Sequence, residues 1–444
     1  PRERRELSNT RNGGRGGRRL RFIGLLVALT LGLAGLVVPL TSTPALAIPC
    51  DDCDPGDGGG GGGGGTGGGG GGWAAPVTLR GTFSYLDDGP SGTTFQRPIV
   101  GAKVEIWRYA PGFLGIWTWG LFATTATGAD GAVSFSTPIG TSGTVYAMRL
   151  FATNDAARVY PQTVLDPGGP YWTEPGGPGA PIQRTAWNPG DSLDFSYAFT
   201  DRNRGKYFNI AEVLRRARAF AAARRDPAES DPIPVVPVQP SAPLGTWYNA
   251  PADQLELAGT STFVDMVIIH EYAHFLEDMI GSLFAVPTVH DGCIATIGPA
   301  NANSAEHAWM EGFANWFAQA VRRATPEAGF IGESSAGGGT LSVGDMETPI
   351  CFSLPPGVTG DAVEKFVAGV LWDTTDPVGT PPGETADTLT GMDASVFQIM
   401  DRELDAAVLG GAQPTIARFR TAWAARGLPL TPLNQIMTMN GVPF

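Results

Sequence analysis

The stretch Val264-Asp265-Met266-Val267-Ile268-Ile269-His270-Glu271-Tyr272-Ala273-His274-Phe275-Leu276 sets the pattern H-E-x-x-H inside an apolar run. Such a run reads as a buried helix. Helical positions four apart share a face, so His270 and His274 project side by side, with Cβ atoms about 6 Å apart. Two neutral imidazoles so placed can take two corners of a zinc tetrahedron. Glu271 lies next to them, where a carboxylate can act as general base on a metal-activated water without being a ligand. The ordinary alternative is a chance match on a core helix. Against it, the chain has only 4 His and two fall here. Packing alone gives a buried helix no reason to hold two His and a Glu on one side, because buried polar groups need partners.

Downstream, Trp309-Met310-Glu311-Gly312-Phe313-Ala314-Asn315-Trp316-Phe317-Ala318 lies in a second helical pattern, Asn303 to Arg323. Trp309, Phe313, Trp316, Phe317 and Ala320 form its apolar face. A carboxylate inside that face needs a partner, and zinc supplies one; the ordinary reading is a solvated helix acid. His307 lies four residues before Glu311 on the same face, so it competes as third ligand, giving a three-His site, or serves as a donor to a tetrahedral oxyanion. His290, Tyr248 and Tyr272 remain open for that donor role.

Through His270, Glu271, His274 and the Glu311-Gly312-x-Ala314-Asn315 run, the chain resembles the gluzincin metallopeptidases. The resemblance implies Glu311 as third ligand, one Zn2+ per chain and Glu271 as the base that passes a proton to the leaving amine. The family often places an acid or amide four residues after the ligand Glu, bonded to a ligand His; Asn315 stands there instead of the commoner Asp. Val370-Leu371-Trp372-Asp373-Thr374-Thr375-Asp376 resembles a run in secreted relatives of this type. It makes Asp373 or Asp376 a candidate to brace a ligand His or hold a structural ion, against the ordinary reading of helix-end acids. By the same resemblance, Gln254 to Ala258 is the sheet edge that pairs with an extended peptide.

The remainder of the 444 residues suggests two or three domains. Residues 1–47 read as a signal peptide: Arg11 to Arg21 is basic, Phe22 to Leu40 is apolar, and Ala45-Leu46-Ala47 is a small-x-small cleavage site. An uncleaved anchor is the alternative, on the length of the apolar part. Residues 1–47 hold eight Arg and two Glu, so their removal takes the net charge from −13 to −19. So acidic a chain is unsuited to nucleic acid, and no other stretch is long and apolar enough to span a membrane. Residues 48–75 form a Gly-rich tether.

Residues 76–160 alternate in short segments separated by Gly, Pro and Asp, the pattern of an antiparallel sandwich. The Gly101-Ala102-x-Val104 and Thr127-Gly128-x-Asp130-Gly131 runs resemble the transthyretin-like or carboxypeptidase-regulatory sandwich. Trp107, Trp117 and Trp119 are candidates there for contact with sugar or wall material, or ordinary core aromatics. Residues 161–200 read as an irregular connection ending in a strand, and 201–444 as the metallopeptidase-like domain. Of the 4 Cys, Cys293 and Cys351 flank the second metal helix and are paired. Cys50 and Cys53 pair locally or stay free.

The expected fold is therefore multidomain: an antiparallel β-sandwich, then an α+β zincin-like domain that is mostly helical around the metal. The expected function is a secreted zinc peptidase acting on peptide or protein substrates. A non-catalytic surface- or wall-binding protein with a degenerate zincin domain is the alternative.

Overall fold

The computed structural model describes residues 75–88, 93–111, 117–137, 142–160, 172–173, 182–242, 245–284, 288–297, 300–301, 303–325, 341–352, 354–378 and 388–444. The leader, Cys50 and Cys53, and the run of Gly in the tether lie outside them.

Strand β1 (Val77–Asp88) nucleates the first layer. Its Val77, Leu79, Phe83 and Tyr85 alternate into the core, as period two requires. It pairs antiparallel with β2 (Thr94–Pro98) and with β5 (Ala132–Thr137). The turn before β5 needs Gly131: its φ is +74°, and a Cβ there would lie 2.3 Å from the Phe83 carbonyl oxygen. The facing sheet runs β4 (Trp117–Ala126), β3 (Lys103–Pro111), β6 (Thr144–Phe151) and β8 (Trp172–Thr173), with β9 (Ile182–Ala186) also on β6. Strands β10 (Ser192–Asp194) and β11 (Tyr197–Phe199) pair with β1 in parallel. The sandwich is therefore mixed rather than antiparallel and extends to residue 199. The 161–200 segment supplies it with strands, which the scattered Pro and Gly obscured in the sequence.

A smaller sheet has the order β13 (Trp247–Asn249), β14 (Gln254–Leu257), β12 (Val236–Pro240), β7 (Ala157–Val159). Two expectations are corrected here. The Pro-rich run Ile233-Pro234-Val235-Val236-Pro237-Val238 reads from sequence as an edge or interrupted strand, but β12 is central. Its pairing with β14 begins at Val238, just past Pro237, so that proline's missing N–H costs no ladder bond. And β14 is internal; the edge is β13, antiparallel to it.

Helix α1 (Arg202–Ala222) is capped by Asp201, whose side chain accepts from the Asn203 N–H. Its Phe208, Ile210, Val213, Leu214, Ala217 and Phe220 are buried. Tyr85 of β1 donates to Asn209, and Asn209 donates to Thr262 O and to Asp265 at the start of the next helix. One apolar core runs from Val77 of the sandwich through α1 to Val442. The sandwich and the helical part therefore share buried surface.

Helix α2 (Asp265–Ile280) carries H-E-x-x-H, and α3 (Ala305–Ala324) carries Glu311. Ser304 caps α3, Glu306 lies in its first turn, and Arg322 and Arg323 in its last, all complementing the helix dipole. Between α2 and α3 lies a small ribbon: β15 (Thr288–His290), β16 (Ala295–Ile297) and β17 (Ala300–Asn301). Gly281 to Ala302 reads from sequence as loop, and the ribbon forms within it. Helices α4 (Val343–Glu347), α5 (Glu364–Asp373), α6 (Asp393–Gln398), α7 (Ala406–Leu409), α8 (Ile416–Ala425) and α9 (Leu430–Met439) follow. Asp393 to Ala407 reads from sequence as one helix, but a π-helical turn, Ile399–Glu403, interrupts it. Its Met400 presses on the end of α2, where Gly281 leaves room: a Cβ would lie 2.5 Å from the Met400 sulfur. No helix among the described residues is long and apolar enough to cross a membrane.

Candidate metal centre

Helix α2 is buried on nearly every side, so its polar residues face protein rather than water. His270 and His274 sit one turn apart with their rings edge to face, centroids 4.8 Å apart. Their Nε2 atoms are 3.2 Å from each other. Glu311, from the facing turn of α3, places Oε2 3.1 Å from His270 Nε2 and 3.3 Å from His274 Nε2. Ligands about 2.0–2.1 Å from a tetrahedral zinc lie about 3.3–3.4 Å apart. The three atoms thus have the mutual spacing and the N, N, O chemistry of one face of a zinc tetrahedron. Gly312 lets α3 pack closely on α5, the helix that carries Glu364: a Cβ there would lie 2.9 Å from Val367 Cγ1.

His290, at the end of β15, enters the same cluster. Its Nε2 lies 3.3 Å from Glu311 Oε2. The donor atoms of His270, His290 and Glu311 all lie within 4.8 Å of one another.

Each outer nitrogen of two of these imidazoles meets a carboxylate. Glu277 Oε2 lies 3.2 Å from His274 Nδ1, and Glu364 Oε2 lies 2.7 Å from His290 Nδ1. Such contacts fix the ring and leave Nε2 to face the centre. Asn315 does not touch a ligand His, contrary to expectation. Its amide donates to Glu364 Oε1 (2.7 Å) and to the Glu311 carbonyl (2.9 Å), and its oxygen accepts from the Leu341 N–H (2.6 Å). It positions Glu364, one step further out than expected.

The electrostatics follow from burial of mixed charge. Burial works against ionised Glu311, but His274 and His290 beside it hold its carboxyl well below the usual range. Burial pushes the Glu277 carboxyl up to about 8, against the pull of His274. Burial disfavours the His290 cation, yet Glu364 and Glu311 raise it to about 9. Glu271 is buried at 6 % exposure, next to His270 on α2.

Other expectations fare differently. His307 is 1 % exposed and packs its ring against His290 at 5.7 Å, but neither of its nitrogens has a hydrogen-bond partner among the described residues. Burial depresses its basicity, against the pull of Glu311 and Glu364. Tyr248 donates its hydroxyl to Asp278 at 2.8 Å, so it is engaged two turns beyond His270 rather than at the cluster. Asp373 accepts at 2.7 Å from Asn440, the residue that closes α9, and ties down the C-terminal helix. Glu277 and Glu364 were absent from the sequence expectation. Glu277 had a signal, its i+3 spacing from His274 on the same face. Glu364 had none beyond an acid in the first turn of a helix, which dipole complementarity produces everywhere.

Cys293 and Cys351 form a disulfide, Cα atoms 5.7 Å apart, as paired from the sequence. It ties the His290 ribbon to the segment leading into α5.

Fold and site together define a protein with a buried His/Glu metal-type centre between two core helices. Residues 219–407, which include every residue of that centre, match the family described as the mycolysin C-terminal domain. The match supports a relation to secreted metallopeptidases. An "Uncharacterized protein" from Archaeoglobus fulgidus is 33% identical over 206 residues, covering 45% of this chain and 53% of the relative. The chain thus spans about half the length of the curated relative it matches.

Proposed function

We propose that this protein is a secreted zinc-dependent peptidase. The observation that carries the reading is the convergence of His270 Nε2, His274 Nε2 and Glu311 Oε2 within 3.1–3.3 Å of one another. These three would hold the metal. Zinc, when bound, supplies a Lewis acid that polarises a carbonyl and lowers the pKa of a coordinated water toward about 7. Glu271, next to His270 on α2, accepts the proton of the attacking water and delivers it to the departing nitrogen. Among the described residues, β13 (Trp247–Asn249) is the edge of its sheet, the place where an extended peptide would add. The disulfide fits an oxidising compartment.

Glu271→Gln tests the chemistry apart from the metal. Shape and volume are kept, so zinc should stay at one per chain. Turnover of an unfolded protein substrate should fall by about 10²–10⁴-fold, the usual contribution of a positioned acid–base group. Near-normal turnover with zinc bound would end the peptidase mechanism.

One observation favours a second reading, a surface-binding protein. Trp117 and Trp119 are each 41% exposed and flank the Tyr109 ring at 5.4 and 5.3 Å, so they are not core aromatics. Zinc bound without cleavage of any peptide library, together with retention on insoluble polysaccharide, would support it.

A further inference from the structure

We propose that the paired strands β3 and β4 carry a docking platform for a neutral polysaccharide, formed by Trp117, Tyr109 and Trp119. The proposal goes beyond the peptidase reading and rests on the surface-binding observation, to which it adds the class of ligand. It uses none of the residues at the metal centre, and its test reads binding rather than cleavage.

Strand pairing builds the platform. Tyr109 of β3 is the register partner of Trp119, and Trp117 stands two residues earlier in β4, hence on the same face. The Tyr109 ring lies against both indoles, tilted from them by 38° and 39°. This packing fixes the indoles in advance, so a ligand has little side-chain freedom left to freeze. Every residue from Trp117 to Leu121 is exposed. Successive strand residues point to opposite faces, so this half of β4 is covered on neither. Among the described residues β4 is also the end strand of its sheet.

The chemistry of the surface selects the ligand. Trp117–Ala126 contains no charged residue. Arg108, beside Tyr109, lies over the Phe122 ring at 4.8 Å. An uncharged aromatic surface suits an uncharged ligand with apolar C–H faces and polar edges. A pyranose is such a ligand: its C–H face stacks on a ring, while its hydroxyls stay in water or meet an indole N–H. Repetition along a polysaccharide accounts for two indoles in line.

Area and charge argue against the other occupants. Aromatic side chains offer about 150–250 Å² each, so two indoles 41% exposed present about 200 Å² between them. A specific protein complex needs about 800 Å² per partner. The bulge between Ile106 and Trp107 breaks the regular register of β4 on β3, which works against a second copy adding its own strand at this edge. A net charge of −13 disfavours nucleic acid and an anionic membrane surface.

The platform also stands apart from the helical part. Near the start of β3, a Cβ on Gly101 would lie 3.5 Å from the Arg215 side chain of α1. Tyr109 is at the other end of the strand, about 20 Å from Lys103 at 3.3–3.4 Å per residue. A polysaccharide held there lies remote from that contact.

The test is co-sedimentation of the whole protein with cellulose, chitin and an insoluble β-1,3-glucan at low and high salt. Retention on at least one of them, insensitive to salt, is expected. Trp117→Ala and Trp119→Ala should each weaken it by about 10-fold, and the double variant should abolish it. Trp119→Tyr keeps a ring and should retain most of the binding. Phe352→Ala removes a side chain that is 93% exposed elsewhere and should change nothing, which separates the platform from general hydrophobic adsorption. Melting curves of each variant check folding. No retention on any of the three polysaccharides, or equal retention of the folded double variant, overturns the proposal. Binding to lipid vesicles, or a dimer, that disappears in the double variant while polysaccharide retention is absent would keep a surface-binding protein and replace the ligand.

Discussion

Replacing Glu277 by Ala should weaken zinc binding by about 10–100-fold, although Glu277 is itself no ligand. Its side chain is fully buried, and its Oε2 meets His274 Nδ1 at 3.2 Å. With the acceptor gone, two outcomes compete. His274 can keep its proton on Nδ1 and leave a buried donor unpaired, at about 1–3 kcal/mol. Or it can move the proton to Nε2, which removes the lone pair the metal needs. Either way the cost falls on the metal-bound state. A 10–100-fold loss is about 1.4–2.7 kcal/mol, so the penalty for an unpaired donor accounts for the whole effect. Glu277→Gln keeps an acceptor oxygen for the His274 Nδ1–H, so its affinity should fall between the two. The assay is competition for zinc against a chromophoric chelator, with metal-free melting curves to confirm folding. Zinc binding in folded Glu277→Ala as tight as in the unaltered protein would refute the reasoning. So would Gln binding more weakly than Ala.

Glu311→Gln should lose zinc and activity together, because a neutral amide is a poor zinc ligand; retained zinc there, with loss in His307→Ala, would transfer the ligand role to His307. Reducing the Cys293–Cys351 bridge, which spans a sequence separation of 58, should lower stability by about 4 kcal/mol in the chain-entropy model, read as a fall in melting temperature of the metal-free protein. Asp226 accepts from the Ala228 N–H and from Arg426, and these bonds hold its carboxyl below its usual value. Its stabilisation is therefore present above the unfolded pKa of about 3.9 and is lost as pH falls through the lower folded value. Asp226→Asn should reduce stability at neutral pH and flatten the acid side of the stability profile; a melting temperature unchanged at pH 7 would count against the network.

What the sequence revealed was whatever periodicity writes locally. The three-and-four spacing of apolar residues in α2 and α3 placed both core helices to within a few residues and put His270, His274 and Glu311 on inward faces. Period two did the same for β1, where Val77, Leu79, Phe83 and Tyr85 alternate. Periodicity misled where a strand is short or carries proline. Central β12 looked like an edge because Pro237 normally forbids a ladder, yet the ladder to β14 starts one residue later. β10 and β11 are three-residue strands whose existence depends on β1 being there to pair with.

The site divides along the same line. His270, Glu271 and His274 lie within five residues, and their relation is fixed by helix geometry alone. Glu277 belongs to that local set and was legible in principle, because i+3 on a helix is a contact before any tertiary structure exists. The other half of the centre is tertiary. His290 meets Glu364 across 74 residues, and Glu364 meets Asn315 across 49. No spacing rule reaches that far. Asn315 illustrates the limit: its position one turn past Glu311 was readable, and its partner was not, because the partner arrives on α5. His270, Glu271, His274 and Glu311 are thus written into two helices, whereas the contacts that orient His290 arrive on a ribbon and a distant helix end, so a substitution at Glu364 or Asn315 can move His290 while the two helices stay unchanged.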